Sequence, residues 1–478
     1  MPSPRAPPRQ KCLTVPDGLN LTLQRMEYAV RGELVLRAEA LAKRLPGDYP
    51  FSRIVYCNIG NPQSVGQKPV TFVRQVVAGI THPELLKSDL PEDVVSRVEM
   101  LLGSSHGVGA YTESKGLPVV RERVAKALRK RDGVSADPDS IFLTNGASDA
   151  VKVLLQMIVR GPDDGVMIPI PQYPLYSATL TALRGRIVKY YLDESQGWRL
   201  DVDELSNRLR AAREQGVTVR ALCVINPGNP TGQVLTRENL VEIVEFCERE
   251  GLVLLADEVY QKNVYVDEKP FVSFKKVVTE LGSSVELASF HSVSKGLFGE
   301  CGMRGGFVEA LNMDQKVLDV LYKTLSVSLC SNVVGQVAVD VMMTPPQPGD
   351  ESHDLFVKET SDIYGSLKRK AGKLSQALNT FKGVSCNPSE GAMYLFPKVD
   401  IPPKAIEEAA RLGYASADVL YCIELLEATG ICTVPGSGFG QAEGTHHFRT
   451  TFLPPEDQID GVVTRMRDFH DKFLVKYS

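Results

Sequence analysis

The sequence predicts an α/β protein, with a mostly parallel sheet covered by helices on both faces and a second, smaller domain beside it. Three observations carry this. From about residue 71 to 343, short apolar strands alternate with helical stretches, the pattern of repeated strand–helix–strand units. Thr344-Pro-Pro-Gln-Pro-Gly-Asp350 then breaks the pattern as a linker. At 478 residues and 43% hydrophobic content, the chain exceeds the roughly 250–300 residues at which one core stops growing. The boundaries therefore read as a leader over 1–19, a large domain over 71–343, a linker over 344–350, and a smaller domain assembled from 20–70 and 351–478.

Four prolines within the first eight residues oppose a helix and make residues 1–19 an arm-like leader. Glu27-Tyr-Ala-Val-Arg-Gly-Glu-Leu-Val-Leu-Arg-Ala-Glu-Ala-Leu-Ala42 predicts an amphipathic helix that packs on the smaller domain. Val219-Arg-Ala-Leu-Cys-Val-Ile-Asn226 reads as a buried strand running into the turn Pro227-Gly-Asn229-Pro230-Thr231-Gly232. Gly251-Leu-Val-Leu-Leu-Ala256 is a second such strand, and it sets Asp257 at a carboxyl end, where open α/β sheets bind ligands. After the linker, Leu355, Glu359, Ile363, Leu367, Ala371, Leu374 and Leu378 recur at three- and four-residue steps, which predicts one long helix joining the domains.

Chemistry concentrates in Ser292-Val-Ser-Lys295-Gly-Leu-Phe-Gly-Glu-Cys-Gly-Met-Arg304-Gly-Gly. An amine beside two hydroxyls, followed by an arginine in a glycine-rich loop, suits a cofactor that carries both an aldehyde and a phosphate. Pyridoxal 5'-phosphate is that cofactor. Asp257 then meets its pyridine nitrogen and keeps it protonated, so that the ring withdraws electrons from a carbanion at the substrate α-carbon. Tyr260 donates to the phenolic oxygen of the ring. Asn229, stiffened by the flanking prolines, hydrogen-bonds that oxygen from the other side. Taken singly, Asp257 reads equally well as a helix cap and Lys295 as a solvated lysine; their joint occurrence favours the cofactor.

The order Asn-Pro-x-Asn-Pro-Thr-Gly, Asp-Glu-Val-Tyr, Ser-x-Ser-Lys and Arg-Gly-Gly resembles the class I/II aminotransferases of pyridoxal-phosphate fold type I. Gly109-Ala-Tyr111-Thr-Glu-Ser-Lys-Gly116, Thr144-Asn-Gly146-Ala-Ser148, Gly391-Ala-Met-Tyr-Leu-Phe-Pro397 and the stretch from Val434 to Arg449 resemble its alanine aminotransferase branch, over nearly the whole chain from about residue 20. The resemblance implies a seven-stranded, mostly parallel sheet and a smaller α+β domain. It gives Lys295 the covalent link to the cofactor and the proton transfer, with Asp257, Tyr260 and Asn229 around the ring. Ser292, Arg304 and the backbone N–H groups of Ala147 and Ser148 hold the phosphate, the last two from a helix N-terminus. Tyr173 stacks on the ring, and Tyr111 reaches the phosphate of a second subunit in a homodimer. Arg449 clamps the substrate α-carboxylate, helped by the N–H of Gly60.

The implied reaction moves an amino group between L-alanine and 2-oxoglutarate by a ping-pong route. A glutamate:glyoxylate aminotransferase, or a lyase or decarboxylase on the same scaffold, would share these residues. A non-enzymatic regulator would carry an added DNA-binding segment, for which the leader leaves no room. Leu297, Phe298, Met303, Thr112 and Glu113 depart from the family pattern and are expected to line or flank the pocket, where they bear on substrate preference and not on reaction type. The second arginine of the aspartate-type relatives has no evident counterpart.

A formal net charge of −4 argues against nucleic acid or an anionic membrane as partner. Nine cysteines without a Cys-x-x-Cys pair read as buried thiols in a reducing compartment; Cys301, in the phosphate loop, is the candidate for oxidation, although it reads better as a small residue fitting a tight turn. His106, His291, His446 and His447 show no metal-ligand spacing, so no metal is expected. The first ten residues are basic and acid-free like a transit peptide, but their prolines favour a cytoplasmic location over a mitochondrial one.

Overall fold

The computed structural model describes residues 13, 15, 19–28, 32–47 and 49–478. Its centre is a seven-stranded sheet of β1 (Ile141–Thr144), β2 (Asp164–Ile170), β3 (Arg186–Tyr191), β4 (Thr218–Ile225), β5 (Val253–Asp257), β6 (Leu287–Ser292) and β7 (Gly306–Leu311). Their spatial order is β1-β7-β6-β5-β4-β2-β3. Only β7 runs antiparallel to its neighbours. Leu254, Leu255 and Ala256 in β5 are fully buried, because a parallel sheet covered on both faces has no wet side.

Alternate residues feed two cores. On one face Leu222, Val224 and Leu254 meet the helices Val202–Glu214, Arg237–Glu250 and Phe274–Leu281. On the other, Ala221, Cys223 and Leu255 meet Ala147–Ile158, Leu175–Ala182 and Gln315–Ser326. A separate core joins Leu34, Val55 and Cys57 to Leu367, Leu374, Leu426 and Phe469, and it takes in Val259, Tyr260 and Tyr265 from the loop after β5. The segment following Asp257 thus leaves the sheet and enters the neighbouring core. The residues expected from the sequence to hold the cofactor lie along that seam.

The expected helix over 27–42 is shorter. It spans Glu33–Ala42, with Gly32 as its extended N-cap, while Glu27 and Tyr28 lie outside it. Glycine is a weak helix former, and residues 29–31 are outside the described set. The linker does separate two helices, Val333–Met343 and His353–Leu378. Within the second, Leu355 is exposed and not part of an apolar stripe. Glu359 accepts hydrogen bonds from the Thr71 backbone N–H at 2.8 Å and the Thr71 hydroxyl at 2.5 Å, so it caps the helix Thr71–Thr81. Of the leader, only residues 13, 15 and 19 are described.

One buried ion pair ties a covering helix to the sheet: Lys275 of Phe274–Leu281 donates to Glu309 of β7, with side-chain exposures of 0% and 3%. Lys275→Met would strand a buried carboxylate, with an expected loss of about 3–5 kcal/mol. Lys275→Met/Glu309→Leu should recover most of it, read from the urea denaturation midpoints of both variants.

Candidate active site

Strand ends and the seam enclose a cavity of about 530 Å³. Every site residue expected from the sequence lines it except Tyr111: Gly60, Ala147, Ser148, Tyr173, Asn229, Asp257, Tyr260, Ser292, Lys295, Arg304 and Arg449. Tyr111 is 77% exposed and does not line this cavity.

At the floor, Asp257 accepts a hydrogen bond from the Tyr176 hydroxyl at 2.9 Å. Burial pushes the Asp257 carboxyl up from 3.8 to about 6, against the opposing effects of Tyr176, the Val259 N–H and Lys295. Lys295 follows β6, and its Nζ donates to the carbonyl of Gly60 at 2.6 Å. Gly60 was expected to serve through its N–H; here its carbonyl faces the amine. A Cβ at residue 60 would lie 2.1 Å from the Tyr394 hydroxyl, so only glycine fits there.

The opposite end is built for an anion. Helix Ala147–Ile158 starts after Gly146, whose φ of 80° favours glycine, and no side chain caps it. Its first N–H groups open to the cavity, where a helix N-terminus attracts negative charge. Arg304 packs over this turn, donating to the carbonyls of Asn145 and Cys301 at 3.1 Å each. Ser292 donates to the Gly305 carbonyl at 3.2 Å. The buried Ser294 hydroxyl has no partner.

Arg449 fills the third side and is 1% exposed. It donates to Asn229 Oδ1 at 3.0 Å and to the Asn58 carbonyl. The rings of Tyr394 and Phe439 lie 4.3 and 4.5 Å from its guanidinium. Burial pulls its pKa down. Arginine nevertheless stays charged in proteins, and among the described residues no carboxylate lies within ion-pair distance. Its Nε has no partner. A buried, unpaired cation calls for an anionic ligand.

These features fit pyridoxal phosphate: a reactive amine, a carboxylate at the strand end, an uncapped helix N-terminus beside an arginine, and an orphaned hydroxyl. A family model for "Aminotransferase class I and II" matches residues 81–466. The chain belongs to that family. A class I/II aminotransferase is pyridoxal-phosphate-dependent and catalyses transamination, so that cofactor and reaction type apply to this chain.

The "Probable alanine aminotransferase, mitochondrial" of Dictyostelium discoideum is 51% identical, over 98% of this chain and 91% of that protein. "Alanine aminotransferase 1" of Bos taurus is 49% identical over 98% and 97%. "Glutamate--glyoxylate aminotransferase 1" of Arabidopsis thaliana is also 49% identical, over 97% of both. Among solved structures, the alanine aminotransferase of Pyrococcus furiosus superposes with a TM-score of 0.75 at 23% identity, covering 95% of this chain and 100% of that one, which shows the shared fold.

Sequence reasoning missed two tyrosines of this aminotransferase site. Tyr394 sits within a motif that resembles the family, yet nothing local tells that its hydroxyl meets Tyr260 at 3.0 Å and its ring covers Arg449. Tyr176 follows Tyr173 by three residues and reads as a core aromatic. Tyr28, expected on a helix, instead shares a 2.7 Å hydrogen bond with Tyr173. Leu297, Phe298, Met303, Thr112 and Glu113 do not line the cavity; Phe298 is buried in a helical core with Val70 and Leu117.

The raised Asp257 value makes a sign-definite prediction. Folding favours its neutral form, so its stabilising contribution is present below about pH 4 and lost as pH rises through about 6. Between these limits the cofactor-free protein should lose about 3 kcal/mol relative to its Asp257→Asn variant. Urea denaturation of both proteins at pH 4 and pH 7 checks this; parallel pH dependence would contradict it.

Proposed function

We propose that this enzyme transfers an amino group between L-alanine and 2-oxoglutarate, forming pyruvate and L-glutamate in a ping-pong cycle. The observation that carries the reading is Arg449, a buried guanidinium without a counter-ion in the cavity that also holds Lys295. The identity of the acids is supported by relatives near half identity over almost the whole chain that are named alanine aminotransferases.

When bound, pyridoxal phosphate supplies an electron sink for negative charge at the substrate α-carbon. The chain's residues do the rest. Lys295 would hold the cofactor through its aldehyde carbon and, as a free amine once substrate is bound, would move the proton from the α-carbon. Asp257, oriented by Tyr176, holds the ring nitrogen in its protonated form. Tyr260 and Asn229 address the phenolic oxygen, and Tyr173 covers the ring face. Ala147, Ser148, Ser292 and Arg304 hold the phosphate. Arg449 and the Gly60 N–H orient the α-carboxylate of either substrate, so one clamp serves both half-reactions. Tyr111, exposed here, reaches the phosphate site of a second copy in a homodimer.

The same reading makes residues 71–343 the cofactor-binding domain, with 20–70 and 351–478 as the smaller one. The enzyme's compartment is proposed to be the cytoplasm, with the mitochondrion as the alternative; mitochondrial import of a reporter fused to residues 1–19 would reject the cytoplasmic placement. Glyoxylate is the acceptor to set against pyruvate, since a glutamate–glyoxylate relative is 49% identical. Steady-state kcat/KM for pyruvate and for glyoxylate, each with L-glutamate as donor, separates the two.

Lys295→Ala should bind the cofactor without a covalent link, so borohydride reduction leaves no cofactor mass on the chain. Its turnover should fall below about one percent of native. Arg449→Lys should lower kcat/KM for alanine and 2-oxoglutarate together, by roughly a hundredfold each, with the holoenzyme spectrum unchanged. Loss confined to 2-oxoglutarate would instead assign Arg449 to the distal carboxylate.

A further inference from the structure

A second cavity, of about 660 Å³, lies between the end of β3 and the strand Phe448–Thr451 that carries Arg449. Glu194, Trp198, Phe396, Gln441 and His447 line it, and none of them lines the first cavity. His447 stands two residues before Arg449, with 2% side-chain exposure against 29% for Glu194.

Both ring nitrogens of His447 face acceptors. Nε2 lies 3.2 and 3.1 Å from the two carboxylate oxygens of Glu194. Nδ1 lies 3.0 Å from Oε1 of Gln441. That amide atom must be the oxygen, because the His447 backbone N–H donates to it at 3.0 Å. The amide nitrogen correspondingly donates to Asp418 at 3.1 Å. A neutral imidazole donates from only one nitrogen. Whichever nitrogen carries the proton, an acceptor faces it. Aromatic neighbours fix the ring plane: Phe396 stacks on it at 4.7 Å and 4°, and Trp198 lies 5.9 Å away.

We propose that His447 and Glu194 form a positioning pair for the substrate clamp. The pair fastens the start of the Arg449 strand to the segment after β3. Glu194 is itself tied across the seam, since its carbonyl accepts from Asn387 Nδ2 at 2.8 Å. From His447 a continuous aromatic path reaches the clamp. Phe396, stacked on the imidazole, meets Phe439 edge-on at 6.0 Å, and Phe439 lies 4.5 Å from the Arg449 guanidinium. The other charged or titratable groups about the ring are Asp193 and Lys398 in the cavity lining, Asp418 through Gln441, and His446 in the chain. The proposal rests on the reading of Arg449 as the α-carboxylate clamp.

Glu194→Gln keeps the shape of the side chain and removes the charge facing the imidazole. Steady-state kinetics of the holoenzyme should show KM for alanine and for 2-oxoglutarate each raised about tenfold, because a misplaced clamp weakens binding of both. At saturation kcat should stay within about threefold and the cofactor absorbance should not move. Glu194→Asp should recover most of the loss. His447→Gln/Glu194→Gln should be no worse than His447→Gln alone, as expected of a coupled pair. An unmoved KM, a fall in kcat as large as the rise in KM, or additive effects would overturn the proposal. Arg449→Lys serves as the reference. If it raises KM while Glu194→Gln does not, the positioning pair alone falls; if it too leaves KM untouched, the clamp assignment has failed and the pair with it.

Discussion

A guanidinium buried without a counter-ion is costly, and the architecture around Arg449 is arranged to hold one. Its hydrogen bonds go to Asn229 in the turn after β4 and to the carbonyl of Asn58 in the N-terminal segment. Its flat faces are covered by Tyr394 and Phe439 from the C-terminal part of the chain. Four distant stretches of sequence therefore converge on one charge. Neutral oxygens and aromatic rings make the cation tolerable but do not neutralise it, which leaves it with affinity for a carboxylate entering from solvent.

The sheet supplies the complementary requirement, a carboxylate at the floor. Parallel strands end near one another: Asp257 at the end of β5 is level with Phe290, and β6 runs two residues further to Ser292, which through Gly306 is level with Thr144 at the end of β1, where the helix after β1 begins. Pleating then separates neighbours. Asp257 faces the cavity, whereas Glu258 turns inward, accepts from Ser289 at 2.6 Å and from the Phe274 N–H at 2.8 Å, and is raised by burial to about 7. One residue of the pair lines the cavity; the other anchors the strand end that presents it.

Much of the site was readable because its residues come in short local motifs whose composition reflects a backbone demand. Asn-Pro-Gly-Asn-Pro follows a strand directly, Asp-Glu-Val-Tyr and Ser-Val-Ser-Lys begin on the last residue of one, and each delivers a side chain to the cavity. Periodicity was a weaker guide at element ends. Gly32 shortened the first helix, and Glu359 proved to be a cap for a different helix and not a member of an apolar face. At Gly32 a backbone preference outweighed the repeat, and at Glu359 a hydrogen bond to Thr71, 288 residues away in the chain, did so.

The sequence by itself determined the alternation of strands and helices, the strand-end placement of Asp257, and the chemistry of aldehyde and phosphate binding. These depend on neighbours within a few residues, where turn geometry and burial are encoded directly. Only the tertiary structure decided that Tyr176 holds Asp257, that Tyr394 covers Arg449 and meets Tyr260, and that His447 reaches Glu194. Those partners are 81, 55, 134 and 253 residues apart. No local pattern records such a distance, because the pairing is set by how the two cores close on each other and not by the backbone between them.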